Sequence, residues 1–84
     1  MIIIRFEDII AWQKAQDLAV EIYHIFKQNK DYGFRDQILR AVVSISNNIA
    51  EGFERNSDND FVRFLFISKS SCSEVKSMLY LSKS

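Results

Sequence analysis

At 84 residues the chain has room for one domain, near the size at which a single core is only marginally sufficient. Lysine plus arginine equals aspartate plus glutamate at 11 each, so bulk charge advertises neither a nucleic-acid nor a membrane partner, and a 48% hydrophobic, 26% charged composition excludes a disordered chain. A single cysteine, Cys72, excludes a disulfide framework and points to a reducing cytoplasm.

The opening Met1-Ile2-Ile3-Ile4-Arg5 is apolar but too short for a signal-peptide core or a membrane span, and it reads as a docked arm. The first helix is expected from about Asp8 to Asn29, with Glu7 and Asp8 at its positive end. Trp12, Ala15, Ala19, Ile22 and Phe26 form its inner stripe, which Ile9, Leu18 and Ile25 widen. Lys14, Asp17 and Glu21 belong to a solvated face, and Gly33, in a polar run, is expected to turn the chain back.

From Asp36 to Arg55 the sequence reads as a second helix with two unlike faces. Ile38, Val42, Ile45 and Ile49, with Leu39, Val43 and Ala50 beside them, recur at three- and four-residue steps and make a broad apolar side. Gln37, Arg40, Ser44, Asn47, Asn48, Glu51 and Arg55 make the polar one. Asp36 to Arg40 and Glu51 to Arg55 are acid-before-base pairs four apart, each worth roughly 0.2–0.5 kcal/mol. Two asparagines in mid-helix cost propensity, so something else holds them there. Gly52 is a candidate C-terminal cap.

Ser57 to Asp60 looks like a helix start, Ser57 capping and Asp60 reaching back. The third helix carries Phe61, Leu65, Ser68, Cys72, Val75 and Leu79 at heptad-like spacing, flanked by Phe64, Ile67, Ser71 and Met78. The chain ends inside that pattern. Residues 61–84 hold Arg63, Lys69, Lys76 and Lys83 against Glu74 alone, so this helix is the basic one. The whole predicts an all-α protein, an up-down antiparallel bundle with three helices visible, folded as a single domain over residues 1–84.

No catalytic or metal-binding constellation is present. His24 and Cys72 stand alone on different helices, and the acid pairs Glu7/Asp8 and Asp58/Asp60 fall at helix starts, where the helix dipole already favours them. His24 reads as a surface or boundary residue and Cys72 as a small core residue. With two glycines nineteen positions apart there is no phosphate-binding loop. Neither a cofactor nor a small-molecule substrate is expected, and no enzymatic activity.

The segment QILRAVVSISNNIAEGFER, residues 37–55, resembles the signature of the bacterial four-helix-bundle proteins known as 23S rRNA intervening-sequence proteins. Phe6-Glu7-Asp8 with Trp12-Gln13-Lys14-Ala15 resembles their opening, and Phe61 to Leu65 with Ser71 to Glu74 a third segment. Ser46 departs from the pattern, standing where many members carry proline. The resemblance implies a fourth helix beyond the third, lacking here, and a homo-oligomeric ring, a pentamer in particular. Wide apolar faces on a marginal core argue for association in the same direction.

Two surfaces compete as the working site. Gln37, Ser44, Asn48 and Glu51 form a polar ladder, read first as a structural seam between helices or subunits, because the charges beside it are paired along the helix, and second as a binding surface. Lys69, Lys76 and Lys83 repeat every seven residues near Arg63, Phe66 and Tyr80. On one chain that row reads as a solvated face, but repeated around a ring it becomes a strong local field. Two functions follow. In one, a non-enzymatic ring binds RNA or DNA, with Arg40, Arg55, Arg63, Lys69 and Lys76 holding phosphates, as the more distantly similar accessory proteins of diversity-generating retroelements also suggest. In the other, the protein is an interaction scaffold that touches no nucleic acid.

Overall fold

The computed structural model describes residues 3–84, and every regular element among them is helical. A 3₁₀ turn at Phe6–Asp8 leads into α1 (Ile10–Phe26), α2 (Tyr32–Phe53) and α3 (Asp58–Ser82). The expected arm is not docked: Ile3 is exposed and Ile4 is 80% exposed, while Met1 and Ile2 lie outside the described residues.

Glu7 and Asp8 precede α1 instead of opening it. Ile9 is extended, and the Phe6 ring meets Trp12 edge-on at 5.3 Å while Gln13 Nε2 donates to the Glu7 carbonyl at 2.9 Å. These contacts hold the turn apart from the helix, whose first turn carries no acid. At the other end α1 stops at Phe26, three residues before Asn29. Asn29 Oδ1 accepts from the Asp31 amide at 2.8 Å, and Asp31 Oδ1 accepts from the Phe34 amide at 3.2 Å. Asp31 is therefore the N-cap of α2, and Gly33 lies inside the first helical turn and not in the reversal.

Cross-helix contacts set the direction of each element. Ser68 meets Ile45, Ser71 meets Ser44 and Glu74 meets Gln37, so α3 runs antiparallel to α2. Gln16 meets Ser46 and Phe26 packs on Phe34 at 5.6 Å, so α1 is antiparallel to α2 as well. The core lies along α2, where Ile38 and Val42 are wholly buried against Ala15, Ala19, Ile22 and Phe26 of α1 and Val75 and Met78 of α3. Each of those larger aliphatic side chains contributes about 1.5–3 kcal/mol on burial.

Neither glycine ends a helix. Gly52 has negative φ and lies within α2, which continues to Phe53. What requires glycine there is closeness: a Cβ would stand 2.7 Å from the Phe64 Cβ and 3.0 Å from the Phe61 ring. Ser57 caps α3 as expected, accepting from the Asp60 amide at 3.1 Å, but the Asp60 carboxylate pairs with Arg63 at 3.5 Å and does not reach back.

The inner face of α3 is rotated from the expected one. Ser68, Ser71, Val75 and Met78 are buried, whereas Leu65, Ile67 and Cys72 are exposed and Leu79 is half-buried. Cys72 is thus not a core residue. Ile25 of α1 is exposed too, 66%. For Leu65, Cys72 and Ile25 the cause is shared: α2 packs against each neighbour, but no Cα of α1 comes within 8 Å of α3. Of the apolar residues on their facing flanks, Leu18 and Leu79 pack only partly against the core, and Ile25 and Leu65 stay exposed.

Candidate functional site

Two features flank α2 and α3, a polar seam and an apolar cleft. Along the seam, Gln37 Nε2 donates to the Glu74 carboxylate at 3.1 Å, and the Ser44 and Ser71 hydroxyls lie 2.9 Å apart. Asn48 Nδ2 donates to the carbonyl and the hydroxyl of Ser44 at 2.8 and 2.9 Å, which gives this mid-helix asparagine its partners. The Ser68 hydroxyl donates to the Ile45 carbonyl. On the opposite side of α2, Ser46 is 1% exposed, accepts from Gln16 Nε2 at 2.9 Å and donates to the Val43 carbonyl at 3.4 Å. Serines 44 and 46 therefore bind α2 to both neighbours with hydroxyls small enough to admit close helices. Glu51 stands apart from this network and pairs with Arg55 at 2.9 Å.

The five basic residues expected to hold phosphates do not form one surface. Arg55 pairs with Glu51 and lies over the Phe64 ring at 4.9 Å, and Arg63 pairs with Asp60. Arg40 does not pair with Asp36, whose carboxylate is held by Arg35 at 2.9 Å, and has no ion-pair partner among the described residues. It lines a shallow polar groove on the Ser71 and Glu74 flank of α3, whereas Lys76 lines a cavity on the Cys72 and Leu79 flank. Lys69, seven residues before Lys76, falls on that second flank.

That second flank is one wall of the cleft between α1 and α3. Its cavity, about 270 Å³, is lined by Leu18 from α1 and by Cys72, Val75, Lys76, Leu79, Tyr80 and Lys83 from α3. Towards the α1 C-terminus a further hollow brings Ile25 and Leu81 together. Lys69, Lys76 and Lys83 have no ion-pair partner among the described residues, and Tyr80 is 64% exposed. The floor is apolar and the α3 rim is basic. The wide apolar faces of three helices imply an uncovered groove, as found here, but periodicity misplaces its wall, because it assigns Cys72, Leu65 and Leu79 to the core.

Among the described residues no three potential metal ligands lie together, and no helix is long and apolar enough to cross a membrane. No curated protein and no solved structure gives a significant match. Residues 7–84 match the family model described as 23S rRNA-intervening sequence protein, which spans the turn at Phe6–Asp8 from Glu7 onward, all three helices, the seam and the cleft. On that match, the chain belongs to the 23S rRNA-intervening sequence protein family.

Proposed function

We propose that this protein acts by association and catalyses no reaction. Its three helices form an open bundle, a fourth helix closes the cleft between α1 and α3, and the closed bundles assemble as a homo-oligomeric ring in the cytoplasm, a pentamer on the family resemblance. The cleft carries this reading: Leu18 and Leu79 face each other across a gap that no Cα of either helix bridges. A helix laid there would bury apolar side chains worth about 1.5–3 kcal/mol each. The exposed, unpaired Cys72 thiol suits a reducing compartment.

Light scattering on the native protein tests this, with Leu18→Asp and Leu79→Asp as comparisons. A particle several times the 9.8 kDa chain mass, lost in both variants, is the expected result. A wild-type monomer at every concentration, or variants of unchanged mass, would reject it.

A second reading is RNA or DNA binding along α3, favoured by Lys69, Lys76 and Lys83 standing without acid partners beside exposed Tyr80. Arg55 and Arg63, already paired, contribute little to it, and Arg40 lies on the other flank. Its requirement is binding with a steep salt dependence that Lys69→Glu/Lys76→Glu abolishes. Nucleic-acid affinity indifferent to salt and to both substitutions removes this reading.

A further inference from the structure

The outward row of α2 is complementary to itself when reversed. Asp36, Arg40 and Glu51 border one shallow groove on the side of the helix opposite the buried Ile38, Val42 and Ile49, and exposed Arg55 follows one turn later. Read in order, the row is acid, base, acid, base. A second copy laid antiparallel on it, centred between Ile45 and Ser46, sets Arg40 opposite Glu51 and Asp36 in register with Arg55, once on each side of the centre. Ser44 then falls opposite Asn47, two side chains short enough to admit close helices. Sliding either copy by four residues, about one helical turn, sets Asp36 against Glu51 or Arg40 against Arg55, like charge on like.

The single chain leaves this row incomplete. Arg40 has no ion-pair partner among the described residues, and Glu51, eleven positions on and roughly 16 Å along the helix at 1.5 Å per residue, is out of its reach within one chain. Beside the row, on the α1 side, Val20 and Tyr23 are exposed next to half-buried Leu39 and Val43. A two-fold axis across α2 brings that apolar flank onto its own copy. The flank supplies burial, and the charges, weak one by one at a surface, supply register.

We propose that the outer face of α2 is a self-association surface, on which two copies of this chain pack antiparallel about a two-fold axis with Arg40 of each against Glu51 of the other. The contact uses neither wall of the cleft between α1 and α3. A ring joins unlike faces, whereas this contact joins a face to itself, so rings that use it come in pairs and the particle holds an even number of chains.

Sedimentation velocity on wild type, Arg40→Glu, Glu51→Arg and the exchanged Arg40→Glu/Glu51→Arg tests it, with circular dichroism to verify helicity. Each single variant sets like charges across the axis twice and should halve the particle mass. The exchanged variant restores both pairs and should regain the wild-type mass. So should an equimolar mixture of the two single variants, in which each chain carries the charges the other lacks. Unchanged mass in the single variants overturns the two-fold contact and leaves the ring standing. A loss that neither the exchange nor the mixture repairs overturns it as well, because residues 40 and 51 would then act within one chain. Leu79→Asp reads the cleft separately: unchanged mass there rejects closure of the cleft and leaves the two-fold contact to the charge exchange. A wild-type monomer at every concentration overturns both.

Discussion

Gly52 stands so close to Phe64 that a Cβ built on it would lie 2.7 Å from the Phe64 Cβ. The obstacle is the root of a side chain and not its flexible end, so α2 and α3 must separate to admit a methyl group. Gly52→Ala is expected to destabilise the fold by about 1–2 kcal/mol, the overpacking cost outweighing a helix-propensity gain near 1 kcal/mol. Gly33 provides the comparison: the nearest atom to its built Cβ is 3.9 Å away. Gly33→Ala should stabilise by about 0.5 kcal/mol. Urea midpoints that move the same way for both substitutions would contradict the packing account.

The seam between α2 and α3 offers a second prediction. Ser44 and Ser71 share a hydrogen bond, and Asn48 donates to the same Ser44 hydroxyl. A double-mutant cycle over Ser44→Ala and Ser71→Ala should give a coupling of about 0.5–1.5 kcal/mol, since removing both partners leaves less unsatisfied than removing one. Additive losses would mean that the two hydroxyls do not interact.

The lysines of α3 should behave oppositely. Lys69, Lys76 and Lys83 have no ion-pair partner among the described residues, so reversing all three charges should leave stability within about 0.5 kcal/mol of wild type while altering what the protein binds. A large drop in thermal midpoint, measured by circular dichroism, would show that these charges serve the fold.

The face of α2 was legible because Ile38, Val42, Ile45 and Ile49 repeat at helical spacing and all find neighbours. The family signature lies on the same helix. The face of α3 was not, and the reason is physical. Its buried row includes Ser68 and Ser71, whose value depends on partners more than twenty residues away in sequence. Its apolar residues Leu65, Cys72 and Leu79 lie towards the cleft, so the hydrophobic pattern points between α2 and the open space beside α1. The polar ladder was half legible: Gln37, Ser44 and Asn48 enter cross-helix or local hydrogen bonds, while Glu51 only pairs with Arg55. Gln16 and Ser46 carry no periodic signal, and only the departure from proline at Ser46 marks the place. The capping of α2 by Asp31 was missed because Gly33 is the louder punctuation, although an N-cap aspartate two residues earlier starts the helix before it.

Closure of the cleft between α1 and α3 is the central claim, and Cys72 reports on it directly. The thiol is exposed, lines the cavity and is the chain's sole cysteine. Its rate of reaction with a small thiol reagent is to be compared between the associated wild-type particle and Leu79→Asp, each at the mass found by light scattering. Slow modification in the particle and fast modification in the variant is the predicted result, because an occupant helix would cover the sulfur. Equal and fast modification in both would show that the cleft stands open in the assembled protein, and the account of association through it would be wrong.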